Sequence, residues 1–282
     1  MAFGMPKFLR PPVVETLLSV QFEPLAQMRV TDYGLFWKRI RDEFPVVQEH
    51  PPIPAIIESV ETQPMVINPM QWRIGGEFPP PRVWYRSNPE NSSDAGEHGI
   101  QLQKDRFMQN WMRPGLGDNS GRYPSYESNR ADFVKYLTLF KKYFAENNLG
   151  ELVPNQCEVT YVNRIAVPNE RGALHAACAE CFPGLTLKNS TDFLPRSDRV
   201  MSVVSFPIQQ DMGWLHVQIH GPVRLMTGES AIDFRLTARG APRASEGDPV
   251  MEWLDLGREW VVRGFHCLTS ATMHQKWGYQ NG

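Results

Sequence analysis

Apolar residues along this chain repeat with two distinct periods, and the switches between them mark out the elements. Near the start, Thr16, Leu18, Val20 and Phe22 alternate with Glu15, Ser19, Gln21 and Glu23. A period of two predicts a strand over residues 13–22 with one buried face, Leu17 being the exception. The period then lengthens. Tyr33, Phe36, Trp37, Ile40 and Phe44 recur three or four apart and predict a helix over 32–44, with Thr31 or Asp32 as N-cap and Pro45 as its stop. Strand patterns follow at 55–62, 82–87 and 100–111, and the polar stretch 88–98 reads as a hairpin loop. A helix over 129–148 turns Phe133, Leu137, Phe140 and Phe144 inward, and Gly150 ends it.

The second half reads alike. Residues 157–167 form a strand with Val159, Tyr161, Ile165 and Val167 on one face, and residues 174–181 a short helix. Strands follow at 200–207, 214–220 and 231–239. The last helix runs over 249–277, with Pro249 suited to its first turn and Trp253, Gly257, Trp260, Val261, Gly264, Phe265 and Leu268 at helical spacing. If 214–220 and 231–239 form a hairpin, alternation pairs Leu215 with Leu236, Val217 with Phe234 and Ile219 with Ile232. The opposite face then carries Trp214, His216, Gln218, Asp233, Arg235 and, just beyond, Arg239. The expected fold is α+β: a mostly antiparallel sheet or pair of sheets with helices on one face. Its halves, 1–150 and 151–282, are pseudo-duplicated β-α-β-β-β-α units of helix-grip or TATA-binding-protein-like form, packed as one unit.

Composition narrows the function only a little. The 282 residues are 41% hydrophobic and 21% charged, as expected of a globular protein with a real core. A formal net charge of −2 gives no general attraction to nucleic acid or to an anionic membrane. No apolar run approaches the ~18 residues of a membrane helix, and residues 1–10 lack a signal-peptide layout. Four cysteines in a chain this long make no disulfide framework, so a cytoplasmic setting is expected. The 24 prolines, several in clusters such as Pro51-Pro52, punctuate strands because proline lacks the ladder N–H.

Candidate chemistry is sparse. No phosphate-binding, zinc-protease, serine-elbow or dinucleotide motif is present, so no catalytic residue and no cofactor is expected. The polar hairpin face, with His216 and Arg235, suits an anion or an acidic peptide, although antiparallel sheets commonly leave one face simply solvated. Asn163 lies on an apolar strand face, where an unsatisfied amide costs about 1–3 kcal/mol. It is either a structural amide or a ligand contact, and Arg164 points to the opposite face. His175, Cys178 and Cys181 suggest a metal, but a structural zinc site needs four ligands, usually as two pairs, and no second C-x-x-C exists. Buried small residues on a helix are the plainer reading. His266 and His274 lie on the last helix, and His266 and Cys267, being adjacent, diverge on it and are poor partners. Glu15 and Glu58 stand as isolated carboxylates.

Three short pieces carry a resemblance. They are Pro11-Pro12-Val13-Val14-Glu15 running into Gln21-Phe22-Glu23-Pro24, Arg122-Tyr123-Pro124-Ser125-Tyr126-Glu127, and Tyr161-Val162-Asn163-Arg164-Ile165. In order and spacing the chain resembles a sporadically distributed bacterial protein family of about this length. The resemblance transfers no activity. A patchy distribution implies mobile cargo, such as phage-defence or toxin–antitoxin modules. The expected function is therefore a non-enzymatic interaction protein that holds a protein partner. Second stands a small-molecule or nucleotide-binding module with a pocket between the sheet and the last helix. Third is nucleic-acid binding on the sheet face.

Overall fold

A computed structural model describes residues 4–58, 81–88, 90, 96–113, 123–185, 193, 195–225 and 228–280. Strands β1 (Lys7–Phe8) and β2 (Val13–Phe22) lead into helix α1 (Val30–Trp37), whose turns continue to Phe44. A meander follows: β3 (Val46–His50), β4 (Arg82–Arg86), β5 (Glu97–Gln103) and β6 (Arg106–Met112). Helix α2 (Tyr126–Glu146) closes the first half. The second half runs β7 (Pro154–Val167), α3 (Ala173–Cys181), β8 (Val200–Ile208), β9 (Gly213–Arg224), β10 (Ser230–Gly240) and α4 (Pro249–Leu268), with α5 (Ala271–Lys276) and β11 (Tyr279–Gln280) at the end.

Nine described strands make one antiparallel sheet in the order β3-β4-β5-β6-β2-β7-β10-β9-β8. β2 lies beside β6, the last strand of the first meander, β7 lies beside β10, the last of the second, and β2 and β7 join the halves at the centre, while β1 pairs with β11. The halves thus share a connection order, although the first meander has four strands and the second three.

All the helices lie on one face. Phe133 and Phe140 of α2 pack on Phe107 and Phe22, and Phe36 of α1 meets Tyr85 and Phe140. Phe182, just after α3, sits edge-on to Phe234 of β10. Helix α4 lies over β7 and β10, burying Trp253, Leu254 and Val261 completely. Each such side chain contributes about 1.5–3 kcal/mol. Two glycines permit this closeness. A Cβ at Gly257 would lie 3.1 Å from Val159 Cγ2, and one at Gly264 2.7 Å from Leu215 Cδ2.

Several expected boundaries move. The apolar pattern over 100–111 is two strands, β5 and β6, joined by the tight turn Lys104–Asp105. A hairpin reverses the chain without a gap in apolar residues, so it reads as one strand. Strand β3 was not expected, because its short edge exposes Val46 and Val47. The last helix breaks: Thr269 turns extended, its hydroxyl donates back to Phe265 O at 2.7 Å, and Ser270 caps α5. In the β9–β10 hairpin the faces are as expected but the register is displaced by two residues. Leu215 meets Ala238, Val217 meets Leu236 and Ile219 meets Phe234. Alternation distinguishes odd slips from even ones and cannot see a shift of two. Residues 55–58 are extended but form no strand, and 59–62 lie outside the described residues.

Candidate functional site

The sheet face turned away from the helices is polar, and register sets its side chains in rows across the strands. One row runs Gln103, Arg106, Gln21, Gln156. Another runs Asn110, Leu17, Thr160, Thr237, His216, Ser205. Near the other end lie Glu15, Val162, Arg235, Gln218, Val203, and then Arg164, Asp233, His220, Met201.

Residues 51–58 cross this face as a strap. Ile53 N donates to Gln103 Oε1 at 2.8 Å, and Gln103 Nε2 donates back to Ile53 O at 2.7 Å. Arg106 Nη2 donates to Pro54 O at 3.2 Å, Ile56 N to Gln21 Oε1 at 3.0 Å, and Glu58 N to Gln156 Oε1 at 3.4 Å. Pro51, Pro52 and Pro54 have no N–H, so this segment cannot build a ladder. Glutamine amides, which both donate and accept, satisfy its backbone from below instead. These amides are almost wholly buried, and a space of about 10 Å³ between Ser19, Gln21, Arg106 and Arg239 fits no more than one water.

The strap ends in a charged lock. Glu58 Oε1 accepts from His216 Nε2 at 2.8 Å and from Arg239 Nη1 at 3.0 Å. Arg239 also holds Glu158 at 2.8 Å. On its other side His216 Nδ1 lies 2.8 Å from Ser205 Oγ, which is exposed on β8. Burial alone would raise the Glu58 carboxyl, but the bonds and charges of His216 and Arg239 outweigh it and hold the group below its ordinary value. Burial likewise opposes the charge on Arg239, and Glu158 and Glu58 more than restore it.

Beyond residue 58 of the strap, this face is exposed at Arg235, Val203 and Met201, while Val162 is buried and Glu15 partly buried. Arg164 Nε lies 3.3 Å from Asp233 Oδ1, Arg235 is exposed, and Gln218 and His220 are half-buried. Glu15 is held above its ordinary carboxylate value by burial, against the pull of Arg235 and Arg164. At the free edge, Met201 is 82% exposed and Val203 47%.

The expected site residues therefore divide. Trp214, His216, Gln218, Asp233, Arg235 and Arg239 do share one face, but His216 and Arg239 are committed to the strap while Asp233 pairs with Arg164. Asn163 faces the helices, 3% exposed, and its Nδ2 donates to Phe234 O at 3.2 Å, which accounts for it structurally. His175 bonds Ser197 at the surface, whereas Cys178 and Cys181 are buried, their thiols pushed up by burial to about 11 and about 12. Among the described residues no group of three His, Cys, Asp or Glu stands ready for a metal. His266 and His274, both expected on the last helix, stack with ring centroids 4.3 Å apart. Sequence reasoning missed Glu58 as a partner of His216, and it missed the glutamines. Gln21, Gln103 and Gln156, spaced along polar strand faces, were the available signal.

The three pieces behind the family resemblance meet at one end of β2 and β7. Arg164 N donates to Pro12 O at 2.9 Å, and the Tyr123 and Tyr161 hydroxyls lie 2.8 Å apart. Asn129, in α2 just after the second piece, donates to Thr16 at 3.0 Å. This is an architectural corner. Between sheet and α4 the space is filled by Trp253, Val261 and Phe265 against Val159, Leu215 and Leu236. An open cleft of about 500 Å³ lies instead beyond the end of β7, between Asn169, Arg171, Leu174, Asp198 and Arg224. No helix among the described residues is long and apolar enough to cross a membrane. No protein-family model matches the chain, and comparison with curated proteins gives no match.

Proposed function

We propose that this chain is a binding protein that holds a protein partner on the exposed part of its polar sheet face. The observation that carries this reading is the contrast across one sheet. A strap seals one part of the polar face, while Arg235, Val203 and Met201 of the same face are exposed. That exposed part combines an arginine with a Met and a Val at the sheet edge, a mixture typical of partner surfaces. The family resemblance supplies a setting, an accessory or antitoxin-like component of a phage-defence or toxin–antitoxin system. A cytoplasmic location accords with it.

Small-molecule or nucleotide binding ranks second. The filled sheet–helix interface leaves it the cleft beyond β7, where Arg171 and Asp198 face each other at 3.7 Å. Nucleic-acid binding ranks third, because Arg164 and Arg239 already have carboxylate partners and Arg235 acts on the Glu15 carboxyl.

The test is co-purification with the products of adjacent genes, for the wild type and for a variant carrying both Arg235→Glu and Met201→Asp. The expected result is a partner lost on substitution while the melting temperature holds. A partner retained equally by the variant, or no partner at all, counts against the reading. Binding of nucleic acid that falls steeply with salt would put the third reading in its place.

A further inference from the structure

We infer that Ser205, His216 and Glu58 form a serine-nucleophile relay on the open edge of the sheet, able to cleave simple carboxylic esters. Three elements distant in sequence supply it: β8, β9 and the strap. Ser205 and His216 are direct cross-strand partners. Their side chains meet at 2.8 Å, and the far imidazole nitrogen meets Glu58 Oε1 at 2.8 Å.

Chemistry assigns the protons in this chain. Glu58 is ionised, held so by His216 and Arg239 against the cost of burial, so it can only accept. His216 Nε2 must then carry the hydrogen. In the neutral ring that leaves Nδ1 with a lone pair, and Ser205 is the donor to it. A hydroxyl donating to an imidazole whose other nitrogen is oriented by a carboxylate is the arrangement that activates a serine. Relative to the familiar serine hydrolases the two ring nitrogens are exchanged, which leaves the roles unchanged.

Solvent access follows the same order. Ser205 is exposed, His216 is 23% exposed and Glu58 14%, so the nucleophile faces outward and its supporting groups are less exposed, Glu58 lying at the end of the strap. Among the described residues β8 is the edge of the sheet, so backbone N–H groups on its outer side take no sheet partner, and they are the candidate donors to a developing oxyanion. Exposed Val203 and Pro207 flank Ser205 on the same strand face, and exposed Ile57 precedes Glu58 in the strap. This surroundings suit an ester with a short apolar acyl group.

The reaction balances with water alone. Ser205 Oγ attacks the carbonyl carbon, and its proton passes to His216 Nδ1. The carbon–oxygen bond to the leaving alcohol breaks, and the alcohol departs with that proton. A water, deprotonated by the same nitrogen, then cleaves the acyl-serine and restores the hydroxyl. Glu58 is a positioning residue throughout. This inference does not rest on partner binding and survives the failure of that reading.

The experiment uses the full chain with an alkyl fluorophosphonate, followed by intact mass and peptide mapping, alongside hydrolysis of p-nitrophenyl acetate. The expected result is one adduct at Ser205, none there in Ser205→Ala, and labelling of His216→Gln slowed by about 100-fold or more, as loss of a general base implies. Glu58→Gln should retain the adduct while changing the pH profile of its formation, which a merely structural role for Glu58 would leave alone. Because Ser205 is exposed, Ser205→Ala keeps its fold, and equal melting temperatures verify this. Absence of an adduct at Ser205 in the wild type, or equal labelling rates in the wild type and a folded His216→Gln, would overturn the relay.

Discussion

Single residues on the polar face are arranged by charge rather than by burial alone. Glu15 is the least comfortable of them. Its carboxyl is held above the ordinary value of 4.5 by burial, which Arg235 and Arg164 offset only in part. A carboxyl raised on folding contributes stability below its unfolded value and loses that contribution as the pH climbs through the folded value. At neutral pH the ionised Glu15 therefore costs stability. Glu15→Gln is expected to stabilise the protein by on the order of 1 kcal/mol or less at pH 7. The gain should vanish below pH 4.5, where the wild-type side chain is protonated as well. Paired urea melts at the two pH values would show it, and a gain that persists in acid would refute the cause. Asn163 teaches the opposite lesson. Its position on an apolar face fits a structural amide, and a bond to a neighbouring strand's carbonyl satisfies it.

At the scale of elements, two devices shape this molecule: a helix brought unusually close and a strap laid across. Helix α4 reaches the sheet through Gly257, where a Cβ would fall 2.8 Å from the buried Trp253 ring and 3.1 Å from Val159. Gly257→Leu should therefore cost about 1–3 kcal/mol through overpacking, despite leucine's better helix propensity. Chemical denaturation measures this directly, and a variant as stable as the wild type would mean that the helix can shift outward. The strap was the least legible element. Its extended residues read as a strand, and only the prolines hinted that no ladder could form. That glutamines from β2, β5 and β7 would take the place of a neighbouring strand depends on register, which alternation leaves open by multiples of two.

At the scale of the whole molecule the two ends of the described chain are clipped together. Strands β1 and β11 pair, and Phe8, His266, His274 and Tyr279 form one aromatic cluster. Burial lowers the pKa of both histidines below 6.5, and for His274 the nearby His266 adds to it. A histidine depressed on folding supports stability above its unfolded value and loses that support as the pH falls through the folded one. The melting temperature should accordingly drop as the pH is lowered from above 6.5 to below it. His266→Phe should flatten that drop by removing one of the two charges that cannot coexist face to face. An equally steep drop in the variant would place the titration elsewhere.

Local pattern alone determined the α+β class, the identity of most strands and helices, and which residues share the polar face of β9 and β10. Those features follow from periods of two and of about 3.6, which neighbouring residues impose on one another. Tertiary structure decided everything that needed a distant partner: the order of strands around β2 and β7, the even-numbered register shift, and the reversal hidden between β5 and β6. It also brought Glu58 to His216, 158 residues further along the chain. Side chains separated by more than an element meet only through packing, and no spacing along the sequence encodes that meeting.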